Sequence, residues 1–209
     1  MKIFVTGANG FIGSHVVKRA LEQDHEVVGL RRTDRVTKID LPSKPKWIEG
    51  TLENNLQQHL HGCEAVIHLA AYGVNPERNS RTEAFRWNVS ASLSFLEQAR
   101  KANVKRFVIA GSCSEYGKSA ERYHYVPCDA PLEPIDVYGS SKAEASIRAL
   151  KFAKKNKLEL AILRPFHIFG EGESDYRFWP SLKNAALSGQ DFPMTLGEQI
   201  RDFTPVEYA

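Results

Sequence analysis

The stretch Met1-Lys-Ile-Phe-Val-Thr-Gly7-Ala-Asn9-Gly10-Phe11-Ile12-Gly13 decides how the rest of the chain reads. Ile3 to Val5 is an apolar run with the character of a buried parallel strand, and an amphipathic helix follows from Phe11 to about Gln23. Between them glycine recurs at every third position. A strand that turns sharply into a helix gathers unpaired backbone N–H groups and the positive end of the helix dipole at one spot, which suits a pyrophosphate. Gly7 permits the tight turn, Gly10 lets a phosphate approach the backbone, and Gly13 lets the helix lie close to the strand. Asn9, Phe11 and Ile12 belong to the same cofactor-facing turn. A glycine-rich turn without a ligand is the competing reading; the flanking strand and helix favour a dinucleotide.

Working outward, a second strand, Glu26 to Leu30, ends in Arg31-Arg32. The end of this strand faces the adenosine ribose in dinucleotide folds, where an acid bonds the 2′-hydroxyl and an arginine suits a 2′-phosphate. The expectation is therefore NADP, with NAD as the alternative. A third strand, Lys46 to Glu49, leads through Gly50-Thr51-Leu52 into a polar helix near Glu53 to Leu60, and Leu52 is placed against the cofactor. A fourth strand, Ala65 to Leu69, ends in Ala70-Ala71, small enough for a flat cofactor to cross the sheet edge at Leu69, Ala70 and Ala71. One long helix is expected from Arg81 to Ala102, with Phe85, Val89, Leu93 and Leu96 as its core stripe. Asn88 lies off that stripe, either as a structural residue or facing the cofactor. A fifth strand, Arg106 to Ala110, runs into Gly111-Ser112-Cys-Ser114-Glu-Tyr-Gly117, where open α/β sheets place ligands. Residues 118–135 read as a long functional loop. Asp136 caps a helix reaching about Lys155, with an apolar stripe through Ile147, Leu150 and Phe152 or Ala153, and a sixth strand spans Leu158 to Leu163.

Strands alternating with helices at these intervals predict an α/β fold, a doubly wound parallel sheet of Rossmann type over residues 1–165. After Arg164 the rhythm changes: Trp179 to Leu187 reads as a short helix and Met194 to Tyr208 as short strand-like pieces. Residues 166–209 are expected to begin a small substrate-binding lobe that is partial, as in a truncated chain.

Composition narrows the function classes. A net charge of +3 with both signs dispersed gives no nucleic-acid-binding arm and no membrane-binding face. No apolar run approaches bilayer-spanning length. Cys63, Cys113 and Cys128 have no metal-ligand spacing, so no metal site is expected and the default is reduced thiols in a cytoplasmic protein.

Tyr138 and Lys142 lie four residues apart near a helix start and share one face. An ammonium one turn away should favour the phenolate and lower the tyrosine from its ordinary value near 10. Tyr138 would then act as an acid–base partner for a carbonyl that gains hydride, with Ser112 on the neighbouring strand end holding the same oxygen. A non-catalytic sensor or scaffold would not need all three.

Together Gly7-Ala-Asn-Gly10-Phe-Ile-Gly13, Ser112 within Gly111-Ser-Cys-Ser-Glu-Tyr-Gly117, and Tyr138-Gly-Ser-Ser-Lys142 resemble the extended short-chain dehydrogenase/reductases of the nucleotide-sugar epimerase/dehydratase family. The resemblance covers essentially the whole chain. It implies NAD(P), a nucleotide-diphosphate sugar as substrate, Ser112, Tyr138 and Lys142 as the catalytic set, and Tyr138 and Lys142 also against the nicotinamide ribose. It further implies a substrate role for Ser112, Ser114, His167 and Arg201, with Arg201 meeting the diphosphate, and it allows for a homodimer.

Departures from the family pattern narrow the reaction. Sugar 4,6-dehydratases carry an Asp-Glu pair where Cys113 and Ser114 stand, so water elimination would lack its acid and base. The GDP-fucose epimerase-reductases place their cysteine at the position of Ser114, one place from Cys113. Thr51 replaces a common aspartate, His167 a common substrate-binding asparagine, and Arg31 the acid that selects NAD. Gly197-Glu-Gln-Ile-Arg201-Asp-Phe203 resembles reductases of 4-keto-6-deoxy sugars such as the abequose and paratose synthases. The expectation is an NADPH-dependent reductase of an NDP-4-keto-6-deoxyhexose, with an NDP-sugar 4-epimerase holding NAD as the runner-up.

Overall fold

A computed structural model describes every residue except 33–35, 76 and 78. Six strands, β1 (Lys2–Thr6), β2 (Glu26–Arg31), β3 (Lys46–Glu49), β4 (Ala65–His68), β5 (Arg106–Ala110) and β6 (Glu159–Leu163), form one sheet in the order β3-β2-β1-β4-β5-β6. Every neighbouring pair is parallel. The strand order reverses between β1 and β4, and the crevice outside the carboxyl ends of the strands at such a switch point is where open α/β sheets bind ligands. The centre of β1, Ile3 to Val5, is a continuous apolar run because both of its faces are covered: Ile3 and Val5 pack on one side with Val17 and Ala20, Phe4 on the other with Val28, Val66 and Phe95.

Helix α1 (Phe11–Glu22) covers the first face. The second is covered by α2 (Gln57–Leu60), α3 (Arg81–Phe85), α4 (Ser92–Lys101) and α5 (Val137–Asn156), which bring Leu60, Phe95, Leu96, Ala99 and Ala149 into the larger core. Helix α2 is shorter than expected. The Asn54 side chain accepts the Thr51 N–H at 2.7 Å and holds this segment in a turn.

The long helix expected from Arg81 to Ala102 is not continuous. A π-helical turn, Arg86–Ala91, joins α3 to α4, and the Ser92 hydroxyl donates to the Trp87 carbonyl five residues back at 3.0 Å. The extra residue rotates the buried face onto Ala84, Asn88, Ala91, Ser92, Phe95 and Ala99, alongside Val89 and Leu96, leaving Phe85 and Leu93 half-buried. On α5 half of the expected apolar stripe faces outward: Ile147 and Leu150 are 37% and 46% exposed, whereas Phe152 packs against the core and Ala153 is buried. The rest of the buried face is formed by small residues, Gly139, Ser141, Ala143, Ser146 and Ala149.

Beyond β6, β7 (His167–Phe169) pairs in parallel with β8 (Phe203–Pro205), and α6 (Phe178–Ser188) lies against them through Phe169, Phe178, Trp179 and Phe203. Among the described residues no helix is long and apolar enough to cross a membrane.

Candidate active site

The glycine turn lies at the switch point. Gly7 has φ +67°, and a Cβ on Gly13 would stand 2.0 Å from the Gly7 carbonyl oxygen, so the helix meets the strand more closely than any side chain permits. Gly10 is the N-cap of α1 and supplies no side-chain cap, and no acid occupies the first turn. That end of the helix thus offers N–H groups and a positive dipole end to an anion. A cavity of about 390 Å³ opens over it, lined by Gly7, Asn9, Gly10, Phe11, Ile12, Gly13, Arg31, Arg32, Leu52, Leu69, Ala70 and Ala71, which are the sequence-predicted cofactor positions of this half. The glycine cradle, the small Ala70–Ala71 stretch and the two arginines fit a dinucleotide.

Arg31 is already engaged there. Its guanidinium binds the Glu49 carboxylate at 2.9 Å across the β2–β3 register and lies 5.1 Å over the Trp47 ring, while its Nε is buried with no hydrogen-bond partner among the described residues.

At the carboxyl end of β5, Ser112 caps a 3₁₀ turn, Cys113–Glu115, its hydroxyl accepting the Ser114 N–H at 3.2 Å. Asp136 starts α5 by accepting the Gly139 N–H at 2.6 Å. A Cβ on Gly139 would stand 2.5 Å from the Ser114 carbonyl oxygen, so this glycine lets the helix approach the Ser112 turn. The result is that Tyr138 and Ser112 line the same cavity, with the serine hydroxyl near enough to act on the phenol. Lys142, one turn on and buried, donates from Nζ to the Ala110 carbonyl at 2.5 Å.

Ser112, Ser114, Tyr138, Lys142 and His167 line a second cavity of about 750 Å³. Phe11, Ile12, Leu69, Ala71, Val74 and Ala110 line both cavities, so the glycine turn and the hydroxyl pair face one continuous crevice. Arg201 lies apart from it, in an adjoining cavity of about 540 Å³ with the aromatic residues of α6 and β8. His167 lines both cavities and joins them, accepting from Arg201 at Nε2 at 2.6 Å.

The electrostatics correct one expectation. Lys142 does not lower Tyr138: burial pushes the phenol up to about 12, with the Ser112 side chain pulling the other way. Burial likewise brings Lys142 down to about 8, the charge of Glu115 opposing it. Tyr138 is consequently a protonated hydroxyl at neutral pH, a proton donor rather than a resident base.

Several residues that organise the site are not singled out by motif reading. Fully buried Glu115 accepts the Ser112 N–H at 3.0 Å, the Ser146 hydroxyl at 3.0 Å and Arg164 Nε at 2.7 Å. The Ser-x-x-Glu capping-box spacing was its one readable signal. Asn88 proves structural. It accepts the Tyr72 N–H at 2.8 Å and donates to the Tyr72 carbonyl at 3.0 Å and to Ser141 at 2.8 Å, joining the end of β4 to the catalytic helix. Below the glycine turn, His68 links the Thr6 hydroxyl (2.6 Å) to Ser92 (2.9 Å), and burial pushes the imidazole down to about 3. Because Ser92 donates to Trp87 and Thr6 accepts the Ala70 N–H at 3.2 Å, Nε2 carries the ring proton. No sequence signal marks this relay.

A parallel doubly wound sheet with a glycine turn at its switch point and a serine, tyrosine and lysine at the next strand end defines the class of the extended short-chain dehydrogenase/reductases. Within it, the model of the NAD dependent epimerase/dehydratase family matches residues 3–207, and the chain belongs to that family. It is 27% identical to a UDP-glucose 4-epimerase of Lactobacillus helveticus, over 99% of this chain and 69% of the relative. To a dTDP-6-deoxy-L-talose 4-dehydrogenase (NAD(+)) of Aggregatibacter actinomycetemcomitans it is 29% identical, over 99% and 76%. Among solved structures, MoeE5 in complex with UDP-glucose and NAD superposes with a TM-score of 0.82 at 35% identity, covering 99% of this chain and 68% of the other.

Proposed function

We propose that this chain reduces the ring ketone of a nucleotide-diphosphate 4-keto-6-deoxyhexose with NADPH. The observation that carries the reading is that Ser112, Tyr138 and Lys142 line one cavity, continuous with the crevice over the glycine turn. The bound nicotinamide supplies hydride to the ketone carbon. Tyr138, held protonated by burial, gives its proton to the ketone oxygen, and Ser112 holds the same oxygen by a hydrogen bond. Lys142, fixed to the Ala110 carbonyl, keeps a positive charge beside the tyrosine and reaches the nicotinamide ribose. Arg31 and Arg32 take the 2′-phosphate, and Arg201 the diphosphate of the sugar nucleotide. Residues 166–209 belong to the substrate-binding lobe.

Cys113 and Ser114 in place of an acidic pair support reduction over dehydration. The 6-deoxy-talose 4-dehydrogenase relative supports a 6-deoxyhexose and chemistry at C4, since dehydrogenation at C4 is the reverse of 4-ketone reduction. Assaying loss of NADPH with dTDP-4-keto-6-deoxyglucose and its CDP, GDP and UDP counterparts tests the proposal. Turnover with one of them supports it; none with any of them, alongside conversion of an NDP-hexose to its 4-epimer, selects the second reading. That reading, a 4-epimerase holding NAD, is favoured by the UDP-glucose 4-epimerase relative and by NAD in the MoeE5 complex.

A further inference from the structure

Three buried side-chain polar atoms lack a hydrogen-bond partner among the described residues: Arg31 Nε, His167 Nδ1 and Glu173 Oε2. Leaving a buried donor or acceptor unmatched costs roughly 1–3 kcal/mol, so each requires a reason. Arg31 lies in the dinucleotide cavity. The other two both line the cavity that holds Ser112, Tyr138 and Lys142, and both also line the adjoining cavity that holds Arg201.

Their chemistry is complementary. Arginine can only donate, so His167 Nε2 accepts from Arg201 and the ring proton sits on Nδ1. Burial and the charges of Arg201 and Arg177 hold the imidazole below its ordinary range, keeping it neutral. Nδ1–H is therefore an unmatched donor. The Glu173 side chain is only 6% exposed. Arg177 Nε stands 3.5 Å from its Oε1, which leaves Oε2 as an unmatched acceptor. Burial raises the Glu173 carboxyl, while Arg177 and a backbone bond from Gly170 oppose the rise. An alcohol hydroxyl donates and accepts at once, so a ring hydroxyl satisfies such a pair where a deoxy carbon or a fully ionised phosphate does not.

We propose that Glu173, with His167 Nδ1–H, is a sugar-hydroxyl recognition site that selects substrates carrying a free ring hydroxyl. The inference rests on the nucleotide-sugar reading above and deepens it: Glu173 contributes to the sugar and not to the nucleotide. Arg177 positions Glu173, and its charge also reaches Tyr138, which ties recognition at this wall to the proton donor.

Calorimetric titration of the wild-type chain, Glu173→Ala and Glu173→Gln with UDP-, dTDP-, CDP- and GDP-glucose and with the bare nucleoside diphosphates isolates the sugar's share. For the best-bound pair, Glu173→Ala should weaken the sugar nucleotide about tenfold or more while leaving the nucleoside diphosphate within twofold; Glu173→Gln, which keeps an acceptor oxygen, should recover most of the loss. NADPH binding and the melting temperature report an intact fold, and Glu173→Met, similar in length, replaces the alanine variant if that one melts early. Equal weakening of both ligands, or no weakening of either, overturns the inference while leaving the nucleotide-sugar reading in place. A wild-type chain that binds none of these sugar nucleotides overturns both.

Discussion

The carboxylate of Glu115, fully buried, holds Arg164 Nε at 2.7 Å and through its other oxygen fixes the backbone N–H of Ser112. One ion pair thus joins the end of β6 to the turn carrying the Ser112 hydroxyl. Arg164 extends the link by donating to the Cys128 carbonyl at 3.1 Å and lying 5.1 Å over the Tyr116 ring, which anchors the long loop of residues 118–135. Removing one partner of a buried pair strands the other charge, at a cost of about 3–5 kcal/mol. Arg164→Met and Glu115→Ala should each lose stability on that scale in urea unfolding, whereas Arg148→Met, at an exposed ion pair on α5, should change it by less than about 1 kcal/mol.

His68 makes stability depend on pH with a definite sign. Its folded value of about 3 lies below the ordinary 6.5, so between those limits the unfolded chain binds the extra proton. Stability contributed by the neutral imidazole is present above pH 6.5 and lost as pH falls toward 3. Urea midpoints should drop progressively over that window, and His68→Gln should flatten the dependence while lowering the plateau.

Lys142 should shape the alkaline limb of activity. With its ammonium brought down to about 8, kcat/KM should decline above that pH as the charge beside Tyr138 is lost. Lys142→Arg, always charged, should remove the limb even where its rate is lower.

The Glu49–Arg31 pair bears on cofactor choice. Arg31→Ala should weaken NADPH binding about tenfold, the loss of one charge-assisted contact, and leave NADH within twofold. Fluorescence titration of the two reduced cofactors reads this directly; equal losses would favour NAD as the physiological partner.

Much of the fold was legible because strand β1 and its neighbours are buried on both faces and read as short apolar runs bounded by glycine, charge or small residues. All six strands lie within a residue or so of their expected positions. Helix faces were harder. Pattern reading follows large apolar residues, but α5 buries Gly139, Ser141 and Ser146 because it must lie against the Ser114 backbone, and that turns Ile147 and Leu150 outward. The π-helical turn was invisible because its cause is tertiary, a Ser92 hydroxyl bound by His68 from another strand. At the site, the glycine turn and the Ser112, Tyr138 and Lys142 positions were readable as motifs. The Tyr138 shift was misjudged because neighbouring charge was weighed without burial, a quantity that exists only after folding.

Everything proposed for the chemistry converges on one proton. Tyr138→Phe removes the donor and keeps the ring, so NADPH should still bind with near wild-type affinity while kcat for keto-sugar reduction falls by about 10²–10⁴-fold. Turnover by Tyr138→Phe within a few-fold of wild type would contradict the account, even with the fold and the cofactor crevice intact.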